Sequence, residues 1–406
     1  MPTEIIQLLD FDGPNLHGPQ PSVFLKVRSD KDRGRRIRDA LKDGAQSAGM
    51  VLGYLEIAVA QDSDGYVVDA SFTTPTPAIG VELARYVVEG LNRREAGDED
   101  WDAEGPLWDL QKRRRAEALP LPALQIIAEA ATRGIPTLIR PDGQVQVGYG
   151  ARGWAFDPAQ LKSREGRLHA DDIGVGATLA VAPAEAAPEA PWERLGPIPI
   201  VAVAGGAGRD PAAELIAATL RAQGQAAGIT TSASFDATRV LLAEQDIAIA
   251  VAGLTAEGIA RRGLAFERCA YSAVVDLPAE LPAEVADRAE LARVLGVAML
   301  VTDAAGRTAL NADVPEIAAL AEYAPCPIIY TSAATANPIV GFHRAEGGQA
   351  LFVRDGAVIA ASGASEQPVL AATLPPEQLP GALAGLALLW AMGLTIEKLR
   401  VMSYEL

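Results

Sequence analysis

The second half of the chain alternates short apolar runs with amphipathic segments. Apolar runs of about four to eight residues between turn residues indicate buried strands, and apolar residues every three to four positions indicate helices. The predicted strands read IPIVAVA, DIAIAVAG, SAVVDL, AMLVTDA and PIIYTS, and the predicted helices cover residues 211–224, 255–262, 283–295 and 315–323. This alternation predicts a mostly parallel sheet with helices on both faces, whose ligands bind at the carboxyl ends of the strands.

In the first half of the chain, the hydrophobic pattern predicts helices and hairpins without a regular alternation of strand and helix. It predicts helices at 37–50, 77–92 and 121–131, a hairpin of LGYLEIAVAQ with GYVVDASFT, and a second hairpin of IPTLIR with QVQVGYG. We therefore expect an α/β protein with a small N-terminal α/β domain at 1–150 and a mostly parallel domain at 198–406. Between them, 151–197 reads as a connector that contains a strand-like ATLAVAP and an Ala/Pro/Glu linker at 183–191.

A glycine-rich turn follows the apolar strand at 198–204. Gly205, Gly206 and Gly208 lead into a helix that we expect to begin near Asp210, which is the outline of a phosphate-binding loop. Such loops use a Lys and a Ser/Thr at the helix start to hold the outer phosphates and Mg²⁺. Arg209 and Asp210 stand at those two positions here. We predict that the Asp210 carboxylate caps the helix, with Pro211 at its first position, so that the chain supplies its own anion.

Composition narrows the class of protein. The chain has 406 residues, is 49% hydrophobic and carries a net charge of −17, which suits a soluble globular protein and argues against a general nucleic-acid surface. Its two cysteines, Cys269 and Cys326, are expected to be buried free thiols. We found no signal peptide and no apolar run of about 20 residues, so we expect a cytoplasmic protein that neither enters nor spans a membrane.

Several segments of the first half resemble a known family. ALKDGAQSAGM, GYVVDASFTTPTPAIGVELARYVVEGLN and, above all, AATRGIP and VQVGYG are similar to the N-terminal domain of cyanophycin synthetases. In that family this domain precedes an ATP-grasp domain, which makes amide bonds through an acyl phosphate, and then a Mur-ligase-like domain. The resemblance implies a role in holding a polymer or in positioning catalytic modules. Residues 151–197 are far too few for an ATP-grasp domain.

The second half resembles the central ATPase domain of the Mur ligases in its cyanophycin-synthetase version. The stretches AGLTAEGIARRGLAFERC, TALNADVPEIAALA and GFHRAEGGQALFVRDG carry this resemblance, with His343 and Arg344 at the family's spacing in the last of them. ALAGLALLWAMGLTIEKLR resembles the helix pair that closes that domain. We expect the family's C-terminal domain, which brings the incoming amino acid, to be missing.

The resemblance also shows which family residues have changed. The phosphate loop, roughly G-T-N-G-K-T-T in the family, has lost its Lys and Thr, and Arg209 does not reproduce a compact ammonium between phosphates. The metal-binding Glu aligns with Gly253, the conserved His with Leu281, and the carbamylated Lys with Val294 or Leu295. A single error of alignment would not explain the changes at all four places together. The carboxylates and amide that remain near the expected nucleotide and metal site are Glu257, Asp276, Asn311 and Asp313.

Other readings of the remaining residues stay open. Asn311 and Asp313 are turn formers before a Pro-started helix, so a capping role competes with a ligand role. His343 is interpreted as a packed or partner-facing residue, and with Arg344 it marks a possible interaction surface. The sequence contains no G-x-S-x-G, H-E-x-x-H or C-x-x-C pattern and therefore supports neither a catalytic triad nor a zinc site.

Three functional hypotheses follow. The first is a non-catalytic subunit or scaffold, in a homo-oligomer or in a complex with an active ATP-dependent amide ligase that makes a poly-amino-acid or polyglutamyl-type product. It requires neither ATP nor a metal ion. The second is an active ligase whose phosphate loop uses Arg209 and whose Mg²⁺ is held by Glu257, Asp276 and Asp313. The third is a small-molecule binding protein that uses the crevice beside residues 205–208.

Overall fold

A computed structural model of the chain describes residues 2–98, 100–161, 189–232, 234–371 and 374–402. The strand-like ATLAVAP segment and most of the predicted linker at 183–191 lie outside these ranges. The described residues form three sheets, and the α/β class, with a small N-terminal α/β unit before a mostly parallel sheet, is confirmed. The division into domains at 150 and 197 stays a prediction.

The N-terminal sheet is antiparallel, in the order β1-β2-β4-β3. Its strands are β1 Glu4–Phe11, β2 Ser22–Ser29, β3 Leu55–Asp62 and β4 Gly65–Thr73, and its helices are α1 Gly34–Ala48, α2 Pro77–Glu95 and α3 Glu104–Glu117. Helices α1 and α2 cover one face, where apolar side chains such as Leu25, Leu41 and Leu83 are fully buried. The predicted β3–β4 hairpin is confirmed. Strand β1 and helix α3 were not predicted, because neither shows a clean apolar period.

The second sheet is small and follows helix α4 Leu121–Thr132. Strands β5 Thr137–Ile139, β6 Val145–Val147 and β7 Trp154–Phe156 are antiparallel in that order, which confirms the predicted second hairpin. Strand β7 lies beyond residue 150 but pairs with β6, so this sheet extends past the predicted boundary. The buried Gln146 side chain donates to the Leu242 carbonyl at 3.0 Å and ties the small sheet to the large one.

The large sheet has nine strands in the order β16-β15-β14-β13-β12-β11-β8-β10-β9. The strands β9 to β14 are parallel, with β8 between β10 and β11, and β15 and β16 are antiparallel additions at one edge. The strands are β8 Ile200–Ala204, β9 Ala227–Thr230, β10 Ile249–Leu254, β11 Cys269–Val274, β12 Thr302–Asn311, β13 Ile328–Ser332, β14 Gln349–Arg354, β15 Ala357–Ser362 and β16 Ser365–Ala371.

Helices cover both faces of this sheet. They are α5 Arg209–Ala222, α6 Phe235–Ala243, α7 Ala256–Arg262, α8 Arg288–Leu300, α9 Pro315–Ala318, α10 Pro338–Ala345, α11 Leu379–Ala391 and α12 Ile396–Met402, and short 3₁₀ turns occur at Gly150–Arg152, Pro158–Leu161, Trp192–Arg194 and Ala319–Tyr323. Successive residues of β8 contribute to the cores on opposite faces of the sheet. Ala202 lies in the core under α7 and α8, and Val203 lies in the core under α5 and α11. Within the described residues, no helix has the length and apolar composition needed to cross a membrane.

One predicted element pair is partly wrong. The residues AML of the predicted strand AMLVTDA form the last turn of α8, and β12 begins only at Thr302. The predicted helix at 283–295 begins later, at Arg288, because the Asp287 side chain caps it by accepting a hydrogen bond from the Glu290 amide at 2.8 Å. An apolar run at the end of a buried helix has the same composition as a buried strand, which explains the error.

The strand order creates one crevice. The chain passes from β8 to β9 and β10 on one side, and then to β11 on the other side of β8. Ligands of open α/β sheets bind at such a switch point, outside the carboxyl ends of the strands. Residues 205–208 follow β8 at this edge, and Asp276 lies just beyond the end of the adjacent strand β11.

Candidate functional site

The glycine-rich loop is occupied by a carboxylate of the chain itself. Asp276 accepts a hydrogen bond from the Gly206 amide at 2.6 Å through Oδ1 and one from the Gly208 amide at 2.9 Å through Oδ2. These backbone amides are of the kind that a phosphate would use in a phosphate-binding loop. The Asp276 side chain therefore takes the place of an anionic ligand.

Sheet register brings the two parts together. Val274 lies beside Ala204 in the parallel β11–β8 ladder, and the Val275 amide donates to the Ala204 carbonyl at 2.9 Å. Asp276 is the next residue, so its side chain reaches the turn that leaves β8. A Cβ added at Gly205 would come within 2.6 Å of Asp276 Oδ1, which explains the need for glycine at this close approach.

The predicted cap by Asp210 is wrong. Helix α5 begins at Arg209, its N-cap is Gly208, and no side chain caps it, which puts Pro211 at the third helical position rather than the first. Asp210 instead forms a two-pronged ion pair with Arg209, with Nε–Oδ1 at 2.6 Å and Nη2–Oδ2 at 3.0 Å. The anion at the loop therefore comes from Asp276, and the positive charge of Arg209 is compensated by its neighbour.

Glu257 lies on α7 and is held by a cation. Its Oε1 is 2.7 Å from Arg261 Nη1, and the same Arg261 places its Nε 2.7 Å from Glu284 Oε1. The Glu257 side chain is more than half exposed. It faces the cleft beside the loop but does not reach the loop amides within hydrogen-bonding distance.

Asn311 and Asp313 connect the carboxyl ends of neighbouring strands. The buried Asn311 side chain donates to the Val275 carbonyl at 2.8 Å and accepts from the Asp313 amide at 2.9 Å. Asp313 accepts from the Ser332 hydroxyl at 2.6 Å, the Ala333 amide at 2.6 Å and the Asn337 amide group at 2.9 Å. Both carboxylate oxygens of Asp313 are thus engaged within the chain.

These carboxylates do not assemble into a metal centre. Among the described residues there is no group of three or more His, Cys, Asp or Glu side chains that could hold a metal ion. Asp276 is bound to the loop, Asp313 to β13 and the start of α10, and Glu257 to Arg261. The Mg²⁺ ligand set of the active-ligase hypothesis is therefore not brought together.

His343 and Arg344 lie away from the loop, on α10 near the antiparallel edge. The His343 ring packs edge-on against Tyr330, with 4.9 Å between the ring centroids. Arg344 donates to Glu366 Oε1 at 2.6 Å, and its guanidinium lies 5.1 Å from the centre of the Phe352 ring. Both side chains serve the packing of α10 on the sheet, and whether they also contact a partner stays a prediction.

A cleft of about 530 Å³ lies beside the closed loop. One wall is the loop itself with Arg209, the second is the start of α7 with Glu257 and Arg261, and the third is the segment 278–284. The Pro278 backbone lies so close to Gly206 that a Cβ there would come within 3.0 Å of it. The loop, Asp276 and the segment after it therefore form one packed unit.

Sequence reasoning named Asp276 as a metal remnant and missed its role as the internal anion. The contact joins residues 70 positions apart, and their meeting depends on β11 pairing with β8 although two strands and three helices separate them in the chain. The one available signal is an Asp directly after a buried strand at the carboxyl edge of the sheet.

Similar proteins were found by sequence and by structure. The chain is 28% identical over 228 residues to cyanophycin synthetase of Synechocystis sp., and 28% identical over 229 residues to that of Crocosphaera subtropica. Each alignment covers 50% of this chain and 26% of the relative, so the chain spans about a quarter of these curated relatives. A crystal structure of MurF from Acinetobacter baumannii matches 50% of this chain and 44% of its own, with 13% identity and a TM-score of 0.39.

The chain is thus related in sequence to the cyanophycin synthetases, as its motifs predict. A family model described as a domain of unknown function, DUF4938, matches residues 2–169 and again residues 163–331. Because these two matches together cover most of the chain, the protein belongs to the DUF4938 family.

Proposed function

We propose that this chain is a non-catalytic subunit that assembles with an ATP-dependent amide ligase. The observation that supports it is the Asp276 carboxylate on the amides of Gly206 and Gly208. A nucleotide phosphate would have to displace this carboxylate, and Arg209, which could otherwise attract the phosphate, is already paired with Asp210. Since like charges at such close range repel strongly, the loop disfavours ATP.

The partner and product are drawn from the relatives. The matched proteins are named cyanophycin synthetases, and the resemblance implies an ATP-dependent amide ligase that builds a poly-amino-acid chain. This chain keeps its buried cores, but its glycine-rich loop is filled by its own carboxylate. It therefore contributes binding surfaces to the complex and forms no bond itself. The chain acts as a homo-oligomeric scaffold or in a hetero-complex, where it stabilises the ligase or holds its poly-amino-acid or polyglutamyl-type product.

Titration calorimetry with ATP and Mg²⁺ tests the closed loop. We expect no binding up to millimolar ATP and no ATP hydrolysis, both for the native chain and for a control Asp303→Ala, whose carboxylate pairs with Arg268 at the surface. Asp276→Ala frees the two amides and is expected to gain binding of inorganic pyrophosphate. ATP turnover by the native chain that is lost in Asp276→Ala and in Asp313→Ala would establish the active ligase instead.

Co-purification tests the partner. The chain is co-expressed with an ATP-dependent amide ligase of the cyanophycin-synthetase type encoded in the same genome, and the mixture is separated by size with light scattering. We expect a complex whose ligase retains activity longer at elevated temperature than the ligase alone. Separate elution with unchanged ligase stability would contradict the proposal, even if the chain binds no nucleotide.

A second candidate is a small-molecule binding protein, and the cleft of about 530 Å³ beside the loop favours it. Its walls carry Arg261 together with Glu257 and Glu280, which suits a small polar ligand. Native mass spectrometry of the purified protein distinguishes the two candidates. A retained compound that is lost in Arg261→Ala supports this second function.

A further inference from the structure

A second cleft, of about 520 Å³, lies between the N-terminal sheet and the helices of the large sheet. We call it the sheet–helix cleft. Its floor is the face of the N-terminal sheet that α1 and α2 leave uncovered, with Lys26 on β2, Glu56 on β3 and Asp69 on β4. Its opposite wall is made by α7, the segment 283–286 and the first turns of α8, including Arg293. This volume falls within the range of small-molecule sites.

The two walls are fixed to each other beside the cleft. Asp12 pairs with Arg262, and the Asp12 amide donates to the Arg262 carbonyl at 3.1 Å. The Leu264 amide donates to the Pro14 carbonyl at 2.8 Å, and the Gln7 side chain donates to the Glu284 carbonyl at 3.2 Å. Because these contacts hold the N-terminal sheet against the end of α7 and the segment at Glu284, the cleft is formed before any ligand enters.

Charges of both signs remain available on these walls. Lys26 and Asp69 are cross-strand partners whose charged atoms are 3.7 Å apart, and each side chain is about one third exposed. Arg293 is exposed and makes no hydrogen bond or ion pair with any residue that the structure describes. A guanidinium without a partner among the described residues therefore lines the same cleft as the Lys26–Asp69 pair.

The two acidic side chains on the helix side of the cleft are already engaged, and Glu56 on the floor accepts one hydrogen bond, from the Tyr54 hydroxyl at 3.2 Å. Glu284 pairs with Arg261 at 2.7 Å, and Glu290 accepts a hydrogen bond from the Ala286 amide at 2.7 Å. Asp69 is only partly compensated, since its Oδ1 has no hydrogen-bond partner among the described residues. Burial raises the pKa of Asp69 above its ordinary value, and the charge of Glu290 adds to this effect, while Lys26 lowers it. A ligand cation next to Asp69 would relieve this imbalance.

The charged side chains that can still contact a ligand determine which class of molecule fits the cleft. Arg293 and Lys26 can receive one carboxylate, and Asp69 and Glu56 can receive one ammonium group. A nucleotide or sugar phosphate brings several negative charges and would meet the four carboxylates of the cleft. A bare amine would leave Arg293 unpaired. The complementary molecule carries one charge of each sign.

We propose that the sheet–helix cleft binds a zwitterion of the α-amino acid or short-peptide class, with its carboxylate on Arg293 and Lys26 and its ammonium group on Asp69 and Glu56. On the same floor, the exposed His17 ring is stacked on the buried Phe24 ring with 4.1 Å between the ring centroids, which gives the side chains of the ligand a flat ring to pack against. This site is separate from the glycine-rich loop and does not depend on whether that loop binds nucleotide.

Calorimetric titration of the full chain with three probes tests this assignment. L-alanyl-L-alanine carries both charges, its N-acetyl derivative lacks the cation, and its C-terminal amide lacks the anion. We expect L-alanyl-L-alanine to bind at millimolar concentration or below, and each blocked probe to bind about tenfold more weakly or worse, which is the loss expected for one charge-assisted contact.

Single variants assign the two ends. In Arg293→Ala, L-alanyl-L-alanine is expected to lose affinity and its advantage over the amide is expected to shrink, because only Lys26 is left to receive the carboxylate. In Asp69→Asn, L-alanyl-L-alanine is expected to lose affinity while the N-acetyl probe does not. Arg288→Ala, on the same helix but paired with Glu316, is the matched control and should bind as the native chain does. No heat with L-alanyl-L-alanine, or an affinity of Arg293→Ala for L-alanyl-L-alanine equal to that of the native chain, would overturn the proposal.

Discussion

The Asp276 carboxylate and the Gly206 amide lie 2.6 Å apart although 70 residues separate them in the chain. Replacing Asp276 with Ala leaves the amides of Gly206 and Gly208 without this partner. We expect the free energy of unfolding to fall by about 1–3 kcal/mol, because two partly buried hydrogen bonds to a charged group are lost. Urea denaturation measures the loss, and Asp236→Ala, which removes only a surface pair with Arg239, should change stability by less than about 0.5 kcal/mol.

The three histidines of the chain allow a direct test of the sheet–helix cleft floor. Desolvation and, to a smaller extent, the positive charge of Lys26 lower the pKa of His17 to about 4, while Glu56 acts in the opposite direction. Proton NMR titration should therefore show one histidine that titrates near pH 4. Lys26→Met should raise this pKa, and Glu56→Gln should lower it.

The same histidine makes stability depend on pH. Its pKa is lower in the folded chain than in the unfolded chain, so the unfolded state binds more protons as the pH falls from about 6.5 to about 4. Over this pH range the free energy of unfolding of the native chain should fall more than that of His17→Phe. Above pH 7 the two free energies should change with pH in the same way. An equal response of both proteins to acid would show that His17 is readily protonated in the folded state.

Glu366 joins two cations at the antiparallel edge of the large sheet. Arg354 pairs with it and lowers its pKa, and Arg344 adds to the effect through a 2.6 Å hydrogen bond. A lowered carboxyl pKa stabilises the fold above the ordinary value of 4.5, and this contribution is lost as the pH falls through the folded value. Glu366→Gln should cost about 1 kcal/mol near pH 7, as expected for a partly exposed network, and this difference should shrink toward pH 3.

Gly348 lies against His343. A Cβ at position 348 would come within 2.2 Å of His343 Nε2, and the His343 ring is held against Tyr330. Gly348→Ala should therefore destabilise the fold by about 1–3 kcal/mol through overpacking. His343→Ala should cost less in the Gly348→Ala background than in the native chain, and a double-mutant cycle measures this coupling. Additive effects would show that the ring moves aside freely.

The large sheet could be predicted because most of its strands are short apolar runs between helices with clear periods. The edge strand β1 could not, since its burial is only intermediate along most of its length and its sequence lacks strict alternation. Phosphate-loop similarity located residues 205–208 correctly at the end of β8. The sequence predicted Asp210 as the carboxylate at the loop, because helix capping involves residues that are neighbours in the chain. Asp276 reaches the loop through the pairing of β11 with β8, which no pattern of neighbouring residues reveals.

Because Asp276 and the glycine-rich loop belong to one chain, their contact does not depend on the concentration of the protein. Under the proposed function, a carboxylate tethered to the same sheet acts as an intramolecular competitor of a nucleotide phosphate and cannot diffuse away. Even a short flexible tether gives an effective concentration in the millimolar range, and a rigidly oriented group reaches far higher values. Under the proposed function, free nucleotide at millimolar concentration would therefore compete at a disadvantage that dilution never removes.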